Sequence, residues 1–149
     1  MKIALYQPDI AQNVGTTFRT AACLGLDVDI IMPCGFPFDD RKFMRAGMDY
    51  IDKVNYTKYS SWEKYADYIK ETGSRIITLS SKATQDYTDF KFEKGDILLA
   101  GRETAGLPVH VSDFCPHHLT IPMQNGMRSL NVAISIAIVS SEAIRQLRI

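Results

Sequence analysis

The sequence predicts an α/β fold: a mostly parallel sheet with helices on both faces. Three observations predict it. Short apolar runs of strand length recur along the chain without strict alternation, as strands buried on both faces do. Between them lie stretches whose apolar residues repeat at helical spacing. The chain has 149 residues, 46% hydrophobic and 23% charged, which suits one domain with its own core, and residues 1–149 are read as that single domain.

The elements follow in order. "KIALY" (2–6) is the first strand. "NVGTTFRTAACLGL" is a helix, with Asn13 at its cap position and Gly25 near its end. "VDIIM" (28–32) is the second strand, and "DDRKFMRAG" (39–47) a short helix with acids in its first turn, where the helix dipole favours them. "KVNYTKY" is a weak strand. "SSWEKYADYIKETG" opens with a serine cap and carries Glu63 near the third helical position, a capping-box pattern, and puts Trp62, Tyr65, Ala66 and Ile69 on one face. "RIITLS" (75–80) is a buried strand, followed by a polar stretch to Gly95. "DILLA" (96–100) is the next strand, "VHVSDF" a short helix, and "HHLTIP" (117–122) the last strand. The final helix is expected over 129–147.

Composition excludes several classes. Lys and Arg number 17, as do Asp and Glu, so the formal net charge is zero and no non-specific nucleic-acid coat is implied. Basic and acidic side chains also balance within 1–75 and within 76–149, so neither half is a charged tail. Cys23, Cys34 and Cys115 are odd in number, widely spaced and without a C-x-x-C pair, which reads as free thiols in a reducing cytoplasm. Cys115, His117 and His118 fit no standard zinc set, so no metal is expected. Met1 leads directly into "KIALY", too short for a signal peptide, and no apolar run approaches ~18 residues, so no membrane span is expected.

Open parallel sheets bind ligands beyond the carboxyl ends of their strands. Three such ends carry unusual loops here: the one after Leu79, residues 101–108 and residues 122–128. The first strand runs instead into "QPDIAQNVG", which lacks the G-x-G-x-x-G of dinucleotide-binding folds, and no P-loop is present. A ligand site is therefore expected at the C-terminal half of the sheet.

"NVGTTFRTAACLG", "GFPFDDRKFMRAGMDY", "LLAGRETAGLP" and "IPMQNGMRSLNVAISIAIVSSEA" resemble, in that order, the motifs of the SPOUT (α/β-knot) RNA methyltransferases. Within that family they look like the small tRNA wobble-nucleotide 2′-O-methyltransferases. The resemblance covers nearly the whole chain, and no added RNA-binding domain is expected at either end. It implies a C-terminal trefoil knot, an S-adenosylmethionine pocket, a homodimer and a tRNA anticodon arm as substrate. General topology rules would bet against a knot.

The resemblance also implies site residues. Arg19 is the catalytic candidate, against a plain reading as a solvated helix arginine. Arginine stays protonated at ordinary pH and is a poor base. The role expected for it is to stabilise negative charge developing on the ribose 2′-oxygen, with a substrate phosphate or water taking the proton. Leu79, Gly101, Ile121 and Ser129 match the family's cofactor-contacting positions. Asn13 either orients Arg19 or caps its helix, and Asn131 either completes its loop or caps the last helix. Glu103 is either a solvated loop acid or the partner of an arginine such as Arg19 or Arg128. Arg41, Lys42 and Arg45, with Arg102, are either a solvated face or a phosphate-contacting patch. The tyrosines at 50, 56, 59, 65 and 68 read as packing rather than base stacking. Relatives often carry a basic residue at the position of Ala105, an aromatic at that of Ser141, and a small or polar residue at that of Ile134.

The expected function is S-adenosylmethionine-dependent 2′-O-methylation of tRNA, with the wobble nucleotide first. The alternatives are another tRNA or ribosomal RNA site, or a non-catalytic RNA-binding module on the same fold.

Overall fold

The first strand, β1 (Lys2–Tyr6), is apolar on both sides of its pleat, and both sides are covered. Ile3 and Leu5 enter one core layer, Ala4 and Tyr6 the other. A computed structural model describes residues 1–39 and 50–147. The short helix expected over 39–47 lies almost wholly outside those residues.

Among the described residues six further strands follow: β2 (Asp27–Ile31), β3 (Tyr56–Tyr59), β4 (Ile76–Leu79), β5 (Gln85–Asp86), β6 (Ile97–Ala100) and β7 (His117–Thr120). They form one sheet in the order β3-β2-β1-β6-β4-β7-β5, and every ladder among the described residues is parallel. Leu98 and Ala100 of β6 join Ile3 and Leu5 on one face; Ile97 and Leu99 join Ala4 and Tyr6 on the other. This two-sided burial explains why the strands read as unbroken apolar runs.

Among the described residues four helices cover the two faces. α1 (Ala11–Leu24) and α4 (Val132–Leu147) lie on the first, through Val14, Phe18, Ala21, Ile136, Val139 and Ala143. α2 (Trp62–Thr72) and α3 (Val109–Phe114) lie on the second, through Trp62, Tyr65, Ala66, Ile69 and Val111. Each fully buried large apolar side chain contributes roughly 1.5–3 kcal/mol of transfer free energy. Ser61 caps α2 through its hydroxyl, which accepts from the Lys64 amide at 3.4 Å; the serine cap is as expected, while Glu63 falls at the second helical position, one residue short of a capping box. Tyr59, Tyr65 and Tyr68 pack on one another in the second layer. Asp29 is buried there too, among Lys2 Nζ (3.3 Å) and the Tyr65 hydroxyl (3.2 Å), and burial pushes its carboxyl upward.

The order of the C-terminal strands differs from the order of the chain. β4 and β5 are joined by residues 80–84 alone, yet β7 lies between them, paired to β4 through Ile77–His117 and to β5 through Gln85–Leu119. The same 80–96 segment ends in a buckle: Arg75 donates from Nε and Nη2 to the two oxygens of buried Asp96, both at 2.8 Å. β7 therefore occupies a slot framed by a loop that precedes it in sequence.

Candidate active site

The carboxyl ends of β4, β6 and β7 open into one cavity of about 760 Å³. Residues 78–82 form one wall, 100–103 and 105–107 a second, and 119–121 with Met123 a third. Residues 129–132 close it from the α4 side, and Ile10 and Asn13 from the α1 side. The lining mixes apolar side chains (Leu79, Leu107, Ile121, Val132) with hydroxyls (Ser80, Ser112, Ser129) and four charges, Lys82, Arg102, Glu103 and Asp113.

The second wall is the tightest. Arg102 and Gly106 exchange two backbone hydrogen bonds, at 3.0 and 2.8 Å, and fold the loop back on itself. Gly101 lies so close beneath that a β-carbon there would stand 2.6 Å from the Gly106 carbonyl carbon and 2.8 Å from the Leu107 nitrogen. Both are backbone atoms, which cannot swing aside.

A polar circuit joins the three chain segments around the cavity. Asn131 Oδ1 accepts from the amides of Ala133 (2.9 Å) and Ile134 (3.3 Å) and so caps α4. Because backbone N–H groups must meet an oxygen, the amide orientation of Asn131 is fixed and its Nδ2 donates to Asn13 Oδ1 at 2.9 Å. Asn13 Nδ2 is thereby left to donate to Glu103 Oε1 at 3.0 Å, and Glu103 Oε2 accepts from the Asp9 amide at 2.7 Å. The Asp9 carboxylate then takes Arg102 Nη2 at 2.7 Å and Thr104 Oγ1 at 2.6 Å. The Arg102 guanidinium and the Thr104 hydroxyl hold that carboxyl at about 2, well below its usual range. These interactions are fully present above the ordinary carboxylate value of about 4 and are lost as pH falls through the depressed one.

The structure brings Leu79, Gly101, Ile121, Ser129, Asn13, Glu103 and Asn131 to this one cavity. It does not bring Arg19 or Arg128 to its wall. Arg19 is exposed, with its guanidinium 4.7 Å from the centre of the Tyr50 ring; Arg128 is exposed in the loop before α4. Arg41 and Arg45 lie outside the described residues.

Three local expectations are corrected. α1 starts at Ala11 with Ile10 at its cap position and no side-chain cap, because the Asn13 amide is committed to Glu103 and Asn131. Among the described residues neither Arg19 nor Arg128 pairs with Glu103, whose two oxygens are taken by Asn13 and Asp9. The last helix begins at Val132 rather than residue 129, since Asn131 caps it from outside.

Sequence reading missed Asp9, Lys82, Thr78 and Asp113. The available signal was position: Asp9 lies just past the carboxyl end of β1, where such folds place polar groups. The Cys115, His117 and His118 side chains are engaged separately. Cys115 is buried with its thiol pushed up to about 12, His117 packs on Phe90 at 5.2 Å, and His118 Nδ1 is 2.7 Å from the Thr78 hydroxyl. Among the described residues no group of three His, Cys, Asp or Glu is placed to hold a metal ion, and no helix is long and apolar enough to cross a membrane.

Known proteins share this fold. A tRNA (cytidine(34)-2'-O)-methyltransferase of Beijerinckia indica subsp. indica is 51% identical over 144 residues, spanning 97% of this chain and 90% of the relative. A solved structure reported as "Structural insights into the 2-OH methylation of C/U34 on tRNA" superposes with a TM-score of 0.91 at 37% identity, over 99% of this chain and 95% of that one. An AdoMet bound rRNA methyltransferase from Sinorhizobium meliloti superposes with a TM-score of 0.87 at 27% identity, over 98% of this chain and 56% of that one. Residues 1–141 match the SpoU rRNA Methylase family, and the chain belongs to that family.

Proposed function

We propose that this chain methylates the ribose 2′-hydroxyl of the wobble nucleotide of tRNA, a cytidine or modified uridine at position 34, using S-adenosylmethionine. One observation carries the reading. Three strand-end loops meet around a single cavity, in a chain half identical to an enzyme named for that reaction.

The cavity suits the cofactor. Its volume falls within the roughly 300–1,000 Å³ of ligand pockets. Leu79, Leu107 and Ile121 offer an apolar slot for an adenine ring, Gly101 lets backbone approach it, and the Ser129 hydroxyl and the Asp113 carboxylate offer polar and anionic contacts to the rest. When bound, S-adenosylmethionine supplies a methyl group on a sulfonium, open to in-line displacement by the 2′-oxygen. The protein's part is alignment, which contributes roughly 7–11 kcal/mol where the geometry is near attack. Arg19 stabilises the charge developing on the 2′-oxygen. Asn13, Glu103 and Asn131 hold the walls, while Arg41, Arg45 and Arg128 contact RNA phosphates.

Arg19 serves the cavity of a second subunit. It follows Asn13 by six residues, about 9 Å along α1 and roughly 120° around it, so it is carried away from the cavity that Asn13 lines. The apolar side chains Ile10, Leu130 and Ile134 are 40%, 40% and 46% exposed beside the same rim, and a homodimer covers them. Ile134→Asp is expected to leave a folded monomer by sedimentation equilibrium. A wild-type chain that is monomeric at micromolar concentration would sink the dimer.

The single domain spans 1–149, works in the cytoplasm, and carries a trefoil knot. The seat of β7 between β4 and β5 supports threading of the C-terminal segment through the 80–96 loop. Pulled by its ends, a knotted chain stops short of the ~3.3–3.6 Å per residue of a fully extended one; reaching that length would exclude the knot.

The reaction itself is tested with purified protein and tRNA transcripts. Calorimetry is expected to show S-adenosylmethionine binding, and mass spectrometry to place the new methyl on nucleotide 34. With the chain's net charge at zero, tRNA binding through local phosphate contacts should still weaken steeply with salt. Cofactor binding with methyl transfer to a different nucleotide would overturn the wobble assignment.

A further inference from the structure

Asp9 does not line the cavity, yet it grips one of its walls at three consecutive residues. Its Oδ1 accepts from Arg102 Nε (3.1 Å) and Nη2 (2.7 Å); its Oδ2 accepts from the Thr104 amide (3.3 Å) and Oγ1 (2.6 Å). Its own amide donates to Glu103 at 2.7 Å. The carboxylate side chain is only 11% exposed, so little water competes for these bonds. Gly35 backs the residue from the other side. A β-carbon there would stand 3.0 Å from both Asp9 Cα and Oδ1, so Asp9 has no room to retreat.

We propose that Asp9 is the positioning residue of the cofactor loop: by fixing residues 102–104 to the turn after β1, it holds the second wall in the shape that admits S-adenosylmethionine. The inference rests on reading the cavity as the cofactor site. The paired backbone bonds between Arg102 and Gly106 make the loop move as a unit, so a shift at 102–104 reaches Gly101 and Leu107. Nothing in this role touches the reacting atoms. Loss of Asp9 should therefore weaken cofactor binding while leaving the chemical step at saturation nearly intact.

Asp9→Asn keeps the size of the side chain and removes its charge. Its Kd and KM for S-adenosylmethionine are expected to rise about tenfold, with kcat at saturation within about threefold of wild type. Thr104→Val, which removes one hydroxyl, should raise the same Kd by about threefold. Gly35→Ala, which displaces Asp9 without altering it, should move Kd in the same direction. In all three, hydrogen exchange at amides 102–106 should quicken while that of β6 is unchanged. Should Asp9→Asn fail to fold, the other two variants decide. An unchanged Kd, or a fall in kcat alone, would overturn the inference. Wild-type protein that binds no S-adenosylmethionine would instead overturn the cofactor reading, and unchanged exchange at 102–106 would still reject the clamp independently.

Discussion

Arg19→Ala is expected to lower turnover about 10²–10³-fold while the Kd for S-adenosylmethionine changes by less than about twofold. Arg19 is exposed and lies outside the cavity wall of its own chain, so its removal leaves Leu79, Gly101, Ile121 and Ser129 where they are. Among the described residues its guanidinium packs on the Tyr50 ring, a contact worth about 0.5–1 kcal/mol at an exposed site, too little to disturb the fold. A fixed positive charge facing a developing oxyanion in a site closed to water contributes about 3–4 kcal/mol, which sets the size of the loss. Equal loss of cofactor binding and turnover would make Arg19 structural. Mixed dimers sharpen the test. When an Arg19→Ala subunit pairs with one that cannot bind cofactor, a site composed across the interface leaves one intact centre, with activity regained. A site built within one chain leaves none.

The second large effect is expected from Gly101→Ala, which also supplies the cofactor-deficient partner. The new β-carbon would meet the backbone of Gly106 and Leu107 at 2.6 and 2.8 Å, well inside van der Waals contact. Overpacking of this kind costs typically 1–3 kcal/mol in stability, and the loop must give way because the β6 core beneath it cannot. Calorimetry is expected to show a fall in S-adenosylmethionine affinity of about 100-fold or more, with a drop in Tm of several degrees. Affinity within threefold of wild type in a folded variant would mean that this loop is not the cofactor's cradle.

Much of the fold is legible in the residues. "KIALY", "DILLA" and "RIITLS" read as buried strands because burial on both faces leaves no polar alternation, and Ser61 marks the start of α2 through capping chemistry that is local. What is not legible depends on partners distant in sequence. Asn13 looks like a helix cap because its type and place fit one; its amide is instead drawn to Glu103 and Asn131, 90 and 118 positions away. β5 has two residues and no periodicity to detect. Asp9 carries no motif of its own, and its importance emerges only when the fold brings residues 102–104 against it. The insertion of β6 between β1 and β4 is set by tertiary pairing that no window of sequence records.

The place of β7 has a bearing on how the molecule is made. On the ribosome, β4 and β5 emerge with a gap between them that only residues 117–120 can fill, and the residues that cap α4 arrive later still. Nascent chains therefore carry two open strand edges for much of synthesis, an invitation to wrong pairing. A product terminated between Thr120 and Asn131 has every strand of the sheet but neither α4 nor a closed pocket, so the binding cavity is the last part of the molecule to be completed.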